Sequence, residues 1–349
     1  RRALPQTHLA AGWEYLVTQD ATNISAIAIS PDFGSDGTLF VGRYINGAAR
    51  SEDGGDTWTP INDGLAFQFE WTRREDYVAR LTTMAVSPDF ANDRTVYAGV
   101  RAYLFTSTDA GDVWQPDVVE ALVDEAFPPD YIIPAFSPDF AEDRTVYAGT
   151  DGGRILRWVE GEEPELVSEL GLEVIALVAP AGDTLIASTE DGVQVSEDGG
   201  ETWTESDGPG KGARSLSASP DFAEDGTAYL GLTHGLHRTT DGGASWTRVD
   251  GQPFGDRPYV EAVVASPAPG DGTVLVSVRG RGLFRSTDHG ETFEPVGQDL
   301  LDANVVLSSF YHPTGEPIVF SPDFAEDQTV FGIAESTVWR STDAGDTWV

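Results

Sequence analysis

Short apolar stretches recur along the chain and are separated by clusters of turn-forming residues. Ile24 to Ile29 alternates apolar and small residues, the pattern of a buried strand. Ser30-Pro-Asp-Phe-Gly-Ser-Asp-Gly37 comes next, where Pro, Asp and Gly each favour a turn. Thr38 to Val41 is rich in β-formers, and Gly42 to Gly47 turns again. Ala48 to Ser51 then leads into Ser51-Glu-Asp-Gly-Gly-Asp-Thr-Trp58, and Trp58 to Ile61 leaves it. The pattern predicts four short strands joined by tight turns.

The same unit returns along the chain. The octet at 51–58 has counterparts at Ser107 to Trp114, Ser196 to Trp203, Thr239 to Trp246, Ser286 to Phe293 and Ser341 to Trp348. The shared pattern is Ser-x-Asp-x-Gly-x-Thr-Trp. Ser-Pro-Asp-Phe begins at residues 30, 87, 137, 219 and 321, and the related Ser266 turn completes the set. The third unit keeps its first turn and loses the octet, running from Ile155-Leu-Arg-Trp158 into Val159-Glu-Gly-Glu-Glu163. The fourth keeps its octet and replaces the first turn with Val178-Ala-Pro-Ala-Gly-Asp-Thr184.

A four-stranded sheet of this kind cannot bury both faces alone, whereas seven packed in a ring cover one another. The expected fold is therefore all-β: one seven-bladed β-propeller of four-stranded antiparallel blades spanning 1–349. The blades are expected near 23–62, 81–119, 132–168, 173–206, 214–250, 260–297 and 317–349. The last copy of the octet ends one residue before Val349, so the final outer strand is nearly missing. Gly12-Trp-Glu-Tyr-Leu-Val17 resembles the exit from an octet, as in Asp56-Thr-Trp-Thr-Pro-Ile61. A closing strand at 12–18, near Trp13, is expected to pair beside Val338 to Ser341.

The octet resembles the Asp-box, or BNR repeat, of sialidases, two-propeller xyloglucanases, sortilin-type receptors and a photosystem II assembly factor. The resemblance covers nearly the whole chain. It implies a propeller and leaves function open, because those proteins do different things. Asp53, Asp109, Asp198, Asp241, Asp288 and Asp343 are read as structural residues that bond backbone amides within the turn. Calcium binding is the alternative, but an oxygen cage gathers several carboxylates and each octet offers few. No cofactor or metal is expected.

Composition narrows the function classes. The net charge is −37, and 27 of the 58 acidic residues lie in the two repeated turn types. A duplex nucleic-acid partner is not expected, since phosphate binding needs a basic footprint. There is no cysteine, so disulfides and thiolate metal sites are excluded. No apolar run approaches the roughly 18 residues of a membrane span. An extracellular or cell-envelope location is expected from the resemblance and from a start that lacks Met, with no signal peptide in this chain.

Both repeated turns belong on one face of the ring, here called the bottom, because first–second and third–fourth strand turns share a side. The variable loops then share the top, where recognition concentrates on rigid repeat scaffolds. Arg43, Arg101, Arg154 and Arg279 fall at equivalent top positions in four blades, and some are expected to converge near the axis. Arg43, Tyr44, Trp71, Arg101, Tyr103, Arg279 and Arg281 are the candidate ligand-binding residues, and Tyr259 and Tyr311 are further top-loop aromatics. Arginine beside aromatic rings suits a sugar face, a carboxylated ligand or a peptide. Val118, Val119, Leu122 and Phe127, with Asp117, Glu120, Asp124 and Glu125 between, fit one or two turns of amphipathic helix capping the axis.

The expected function is a non-enzymatic binding or scaffold module for a protein or glycan. The alternative is a glycoside hydrolase, xyloglucanase- or sialidase-like, using two carboxylates across a sugar. Its candidates are Glu70, Asp76, Asp151, Glu190, Glu261 and Glu335. The Arg-Ile-Pro motif of sialidases is absent. His234 and His237 have a spacing that suits a metal or plain packing, and no third ligand is evident.

Overall fold

The computed structural model describes residues 16–17, 23–44, 46–65, 81–100, 103–118, 131–251, 253–308, 316–334 and 336–349. Seven four-stranded antiparallel sheets form a ring, the architecture of a seven-bladed β-propeller. In blades 1 to 6 the strands lie side by side in chain order, the first innermost and facing the axis. The inner strands are Ile24–Ile29, Thr83–Val86, Ile132–Phe136, Val174–Ala181, Ala213–Ala218, Val260–Ala265 and Ile318–Phe320. Blade 7 takes its outer strand from the other end of the chain. Leu16 pairs with Val338 and Val17 with Thr337, as the detached sequence pattern required. Trp13 lies outside the described residues.

Each octet folds into the turn between the third and fourth strands through one repeated hydrogen-bond set. Ser51 Oγ donates to Asp53 Oδ1 at 2.8 Å and accepts from the Gly55 amide at 2.9 Å. The Thr57 amide donates to the same Asp53 oxygen at 2.8 Å, and Thr57 Oγ1 to Oδ2 at 2.6 Å. The carboxylate is thus consumed by the turn. Thr202 makes the same two bonds to Asp198, and these hold its carboxyl down at about 2. The fifth position needs glycine: φ is 90° at Gly111, and a Cβ there would meet Ile61 Cδ1 of blade 1 at 2.5 Å. Trp114 ties blade 2 to blade 1, its Nε1 donating to the Ile61 carbonyl at 2.8 Å, whereas Trp58 and Trp348 donate to the fifth-position carbonyl of their own octets.

Arginine just before the octet completes the join. Arg50 Nη1 donates to the Ala110 carbonyl at 2.7 Å and to Asp112 at 2.9 Å, both in the next octet. Arg238 reaches His289 and Glu291 in the same way, and Arg285 reaches Ala344 and Asp346. Arg340 repeats the contact across the seam to blade 1.

The Ser-Pro-Asp-Phe turns contain a single helical turn, a feature the sequence pattern did not resolve. Phe33–Asp36 is one, and Gly37 ends it in the left-handed region. Ser30 Oγ donates to Asp36 Oδ2 at 2.7 Å, and Asp36 Oδ1 accepts from the Thr38 amide at 2.7 Å. The turn's aromatic side chain packs against the neighbouring blade, as Phe90 does edge-on to Phe40 at 5.7 Å.

Blade 3 retains four strands without an octet. Trp158 pairs with Val146 where Ser51 pairs with Leu39, and its ring lies 6.2 Å from Tyr97 of blade 2. The outer strand is Glu165–Glu169. One loop expectation is corrected. Gln115–Val118 is the outer strand of blade 2, because pairing with Tyr103–Ser107 overrides the helical spacing that included Asp117 and Val118. The rest of that proposed cap lies outside the described residues. After the blade 6 octet come the strand Glu294–Val296 and the short helix Gln298–Asp302, whose Leu300 is buried in the blade 6–7 core.

Candidate functional site

The top-face cluster arises from two β-bulges. The inner strand of blade 5 slips register between Ala213 and Ser215, and that of blade 6 between Val260 and Ala262. Arg214 and Glu261 are the extra residues. A bulge leaves one residue unpaired and re-aims its side chain. The two occupy equivalent places in adjacent blades, which brings Arg214 Nη2 to 3.2 Å from Glu261 Oε2. Arg279, on the turn after the second strand of blade 6, donates through Nε to the other carboxylate oxygen.

Tyr259 completes the group. The Arg279 guanidinium carbon lies 4.0 Å from the Tyr259 ring centroid and that of Arg214 lies 5.2 Å from it. Glu261 is almost fully buried, and Arg279 leaves about half of its side chain in solvent. Its hydrogen bond to Glu261 pushes the Arg279 guanidinium still higher, so it is a permanent cation. Two arginines against one carboxylate leave a net positive spot on a chain of charge −37. Exposed Arg281 stands beside it and donates to the Phe254 carbonyl at 2.6 Å.

The other sequence candidates are dispersed. Arg43 is buried and donates to the Ala48 carbonyl at 3.2 Å. Arg154 pairs with Glu169 of its own blade at 3.3 Å. The expected convergence of equivalent arginines is therefore not seen among these residues. Tyr103 is half-buried against the blade 1–2 core, and Tyr44 is half-buried with its amide bonded to the Asn23 carbonyl. Asp151 is half-buried and Glu190 exposed, while Glu261 is committed to two arginines. Trp71, Arg101, Tyr311, Glu70, Asp76 and Glu335 lie outside the described residues.

Sequence reasoning passes over Arg214 as a site residue, since a bulge leaves no mark in the apolar pattern. It also passes over the arginine before four of the six octets, although Arg-Ser or Arg-Thr repeats at 50, 238, 285 and 340 and can be found by aligning the units. His237 is buried, with the His234 ring 6.1 Å away. Burial, with His234 and Arg248 adding to it, pushes the His237 imidazole down to about 4. Among the described residues no three His, Asp or Glu side chains gather as a metal site would require. No helix among them is long and apolar enough to cross a membrane.

Fold and cluster together define a seven-bladed β-propeller with an arginine- and tyrosine-bearing upper face. No protein-family model matches the chain, and no curated protein matches it. Among solved structures it is similar to the GH74 xyloglucanase from Xanthomonas campestris, with a TM-score of 0.69 and 17% identity over 96% of this chain and 55% of that one. It is similar to YCF48 bound to D1 peptide, with a TM-score of 0.65 and 16% identity over 96% of this chain and 98% of that one. A third likeness is to U3-55K, at 0.61 and 12% identity over 92% of this chain and 96% of that one. At these identities the likeness is one of fold. The chain spans about half the length of the xyloglucanase.

Proposed function

We propose that the chain is a non-enzymatic recognition module. Its upper face at blades 5 and 6 takes an anionic group, the carboxylate of a protein segment or of an acidic glycan. The observation behind this reading is the cluster built on adjacent bulges. Glu261 fixes the Arg279 guanidinium through one edge and Tyr259 supports it from below, so its remaining donors are pre-oriented for an incoming oxyanion. Arg281 adds a second exposed cation. The likeness to a propeller solved with a bound peptide is compatible with this reading.

The test is a binding screen with peptides carrying free or amidated C-termini and with neutral, uronic and sialylated oligosaccharides, read by mass spectrometry for retention and for new reducing ends. Retention of carboxylated members, lost in the Arg279→Ala, Arg281→Ala double variant, is the expected result. Retention that survives both changes would overturn the upper-face reading. New reducing ends would favour the hydrolase reading instead, which rests on the likeness to GH74 enzymes. Glu261 is poorly suited to that role, because both of its carboxylate oxygens are already engaged by Arg214 and Arg279.

A further inference from the structure

The ring encloses an axial channel of about 290 Å³, walled by the inner strands of six blades. That is close to the roughly 300 Å³ at which small-molecule pockets begin. Its wall mixes polar and apolar surface, and half-buried Ile29, Val86, Phe136 and Val178 stand at the lower ends of four inner strands. Two charged residues reach it, Arg214 and Glu316, both near the upper ends of their inner strands. Arg214 is committed to Glu261. Glu316 has no ion-pair or hydrogen-bond partner among the described residues. Its side chain is exposed, yet the protein around it withdraws hydration from the charged form and pushes its carboxyl up to about 7.

We propose that this channel is a binding site for a cationic amphiphile, an apolar group bearing a protonated amine. Its hydrocarbon lies in the lumen and its ammonium pairs with Glu316 at the mouth. Two features of the wall select that chemistry. The apolar lower channel favours a hydrocarbon tail, since each buried methylene leaves water at a gain. The unpaired carboxylate above it favours a cation and disfavours a fatty acid. The charge of −37 adds a field that gathers cations and repels anions. The site is distinct from the carboxylate-binding cluster at blades 5 and 6, sharing only the Arg214 wall, and does not depend on that reading.

The chain supplies its own reporter. Met84 is the single methionine of the sequence, and it lies at the channel wall with its side chain packed into the blade 1–2 core behind it. Protein labelled with ¹³C at the methionine methyl is titrated at pH 8 with n-hexylammonium chloride, with hexan-1-ol and with sodium hexanoate. A Met84→Leu variant identifies the resonance. The expected result is a saturable shift with hexylammonium, at least about tenfold weaker with hexanol and weakest with hexanoate. Glu316→Gln should reduce hexylammonium affinity to that of hexanol while the free-protein Met84 signal stays in place, showing that the fold is kept. Arg279→Ala should leave the titration unchanged, which separates this site from the upper-face cluster. Equal affinity for hexanol and hexylammonium, unchanged affinity in Glu316→Gln, or no Met84 shift with any probe would each overturn the proposal.

Discussion

Arg340 Nη1 lies 2.9 Å from Asp56 Oδ1, joining the last blade to the first across nearly the whole chain. The same nitrogen donates to the Gly54 carbonyl at 3.0 Å. Equivalent arginines at 50, 238 and 285 make the same bridge between blades that are consecutive in sequence. At the seam alone the bridge spans blades from opposite ends of the chain.

Arg340→Ala should cost about 1.5 kcal/mol, the low end for a hydrogen bond from a charged donor, with the exposed ion pair adding little. Arg238→Ala should cost a similar amount. Denaturant midpoints for the two variants compare them directly. The contact acts as a structural tie only, so neither substitution should alter binding at the upper face.

Removing residues 1–18 should be far more damaging than either arginine variant. It deletes Leu16 and Val17 and leaves Thr337–Ser341 with an unpaired edge. Such edges recruit other chains. The expected outcome is a lower thermal midpoint with concentration-dependent aggregation, seen by calorimetry and light scattering. Adding a synthetic peptide of residues 10–20 should partly reverse both.

Gly111→Ala tests the octet geometry, with Gly251→Ala, outside every octet, as its control. Both glycines have positive φ, 90° and 74°. A Cβ at 111 would strike Ile61, whereas nothing lies within 4 Å of the corresponding point at 251. The first substitution should cost roughly 2 to 4 kcal/mol, combining strain with overpacking. The second should cost about 1 kcal/mol, from strain alone. Equal losses would mean that the close approach between blades is not what demands glycine.

Two groups give opposite pH signatures near neutrality. The folded chain raises the Glu316 carboxyl from 4.5 to about 7, so it binds more protons than the unfolded chain in that window. Its contribution therefore declines as pH rises from about 4.5 to 7. His237 is lowered from 6.5 to about 4, so the unfolded chain binds more protons there and stability declines as pH falls through that range. Glu316→Gln should flatten the first limb and His237→Gln the second. Thermal midpoints taken every half unit between pH 4 and 8 would show whether each limb disappears with its own residue.

At low pH the octets dominate. Asp198 is held at about 2 by Thr202 and Ser196, below the 3.8 of a free carboxyl. Its stabilising effect is complete above about 4 and is lost as pH falls through 2. Asp198→Asn should remove part of the acid limb without changing stability at pH 4.5 relative to pH 7.

The features legible in the sequence are those that backbone geometry imposes. The octet needs Ser, Asp, Gly and Thr at fixed offsets because each serves one bond or one φ value, and six repetitions make the pattern plain. The strand near Leu16 is legible because the blade count requires it. The upper face is less so. Arg279 and Arg281 are visible as loop arginines, but the joining of Arg214 to Glu261 depends on register slips in two blades that no single-strand pattern encodes. Glu316 is hidden for a related reason: its significance comes from the six inner strands around it, not from its neighbours in sequence. Gln115–Val118 misleads through its spacing, because sheet pairing outweighs a weak helical period.

The two-residue pairing of Leu16 and Val17 with Val338 and Thr337 also sets an order in time. As the chain leaves the ribosome, the early strand is made long before its partner. At about 5 to 20 residues per second it waits for tens of seconds. Blades 1 to 6 each close from neighbouring residues and can form as they emerge. The final blade cannot, so completing the circle is the last event, and it is the step at which an interrupted or slowed synthesis leaves an open arc with two exposed ends.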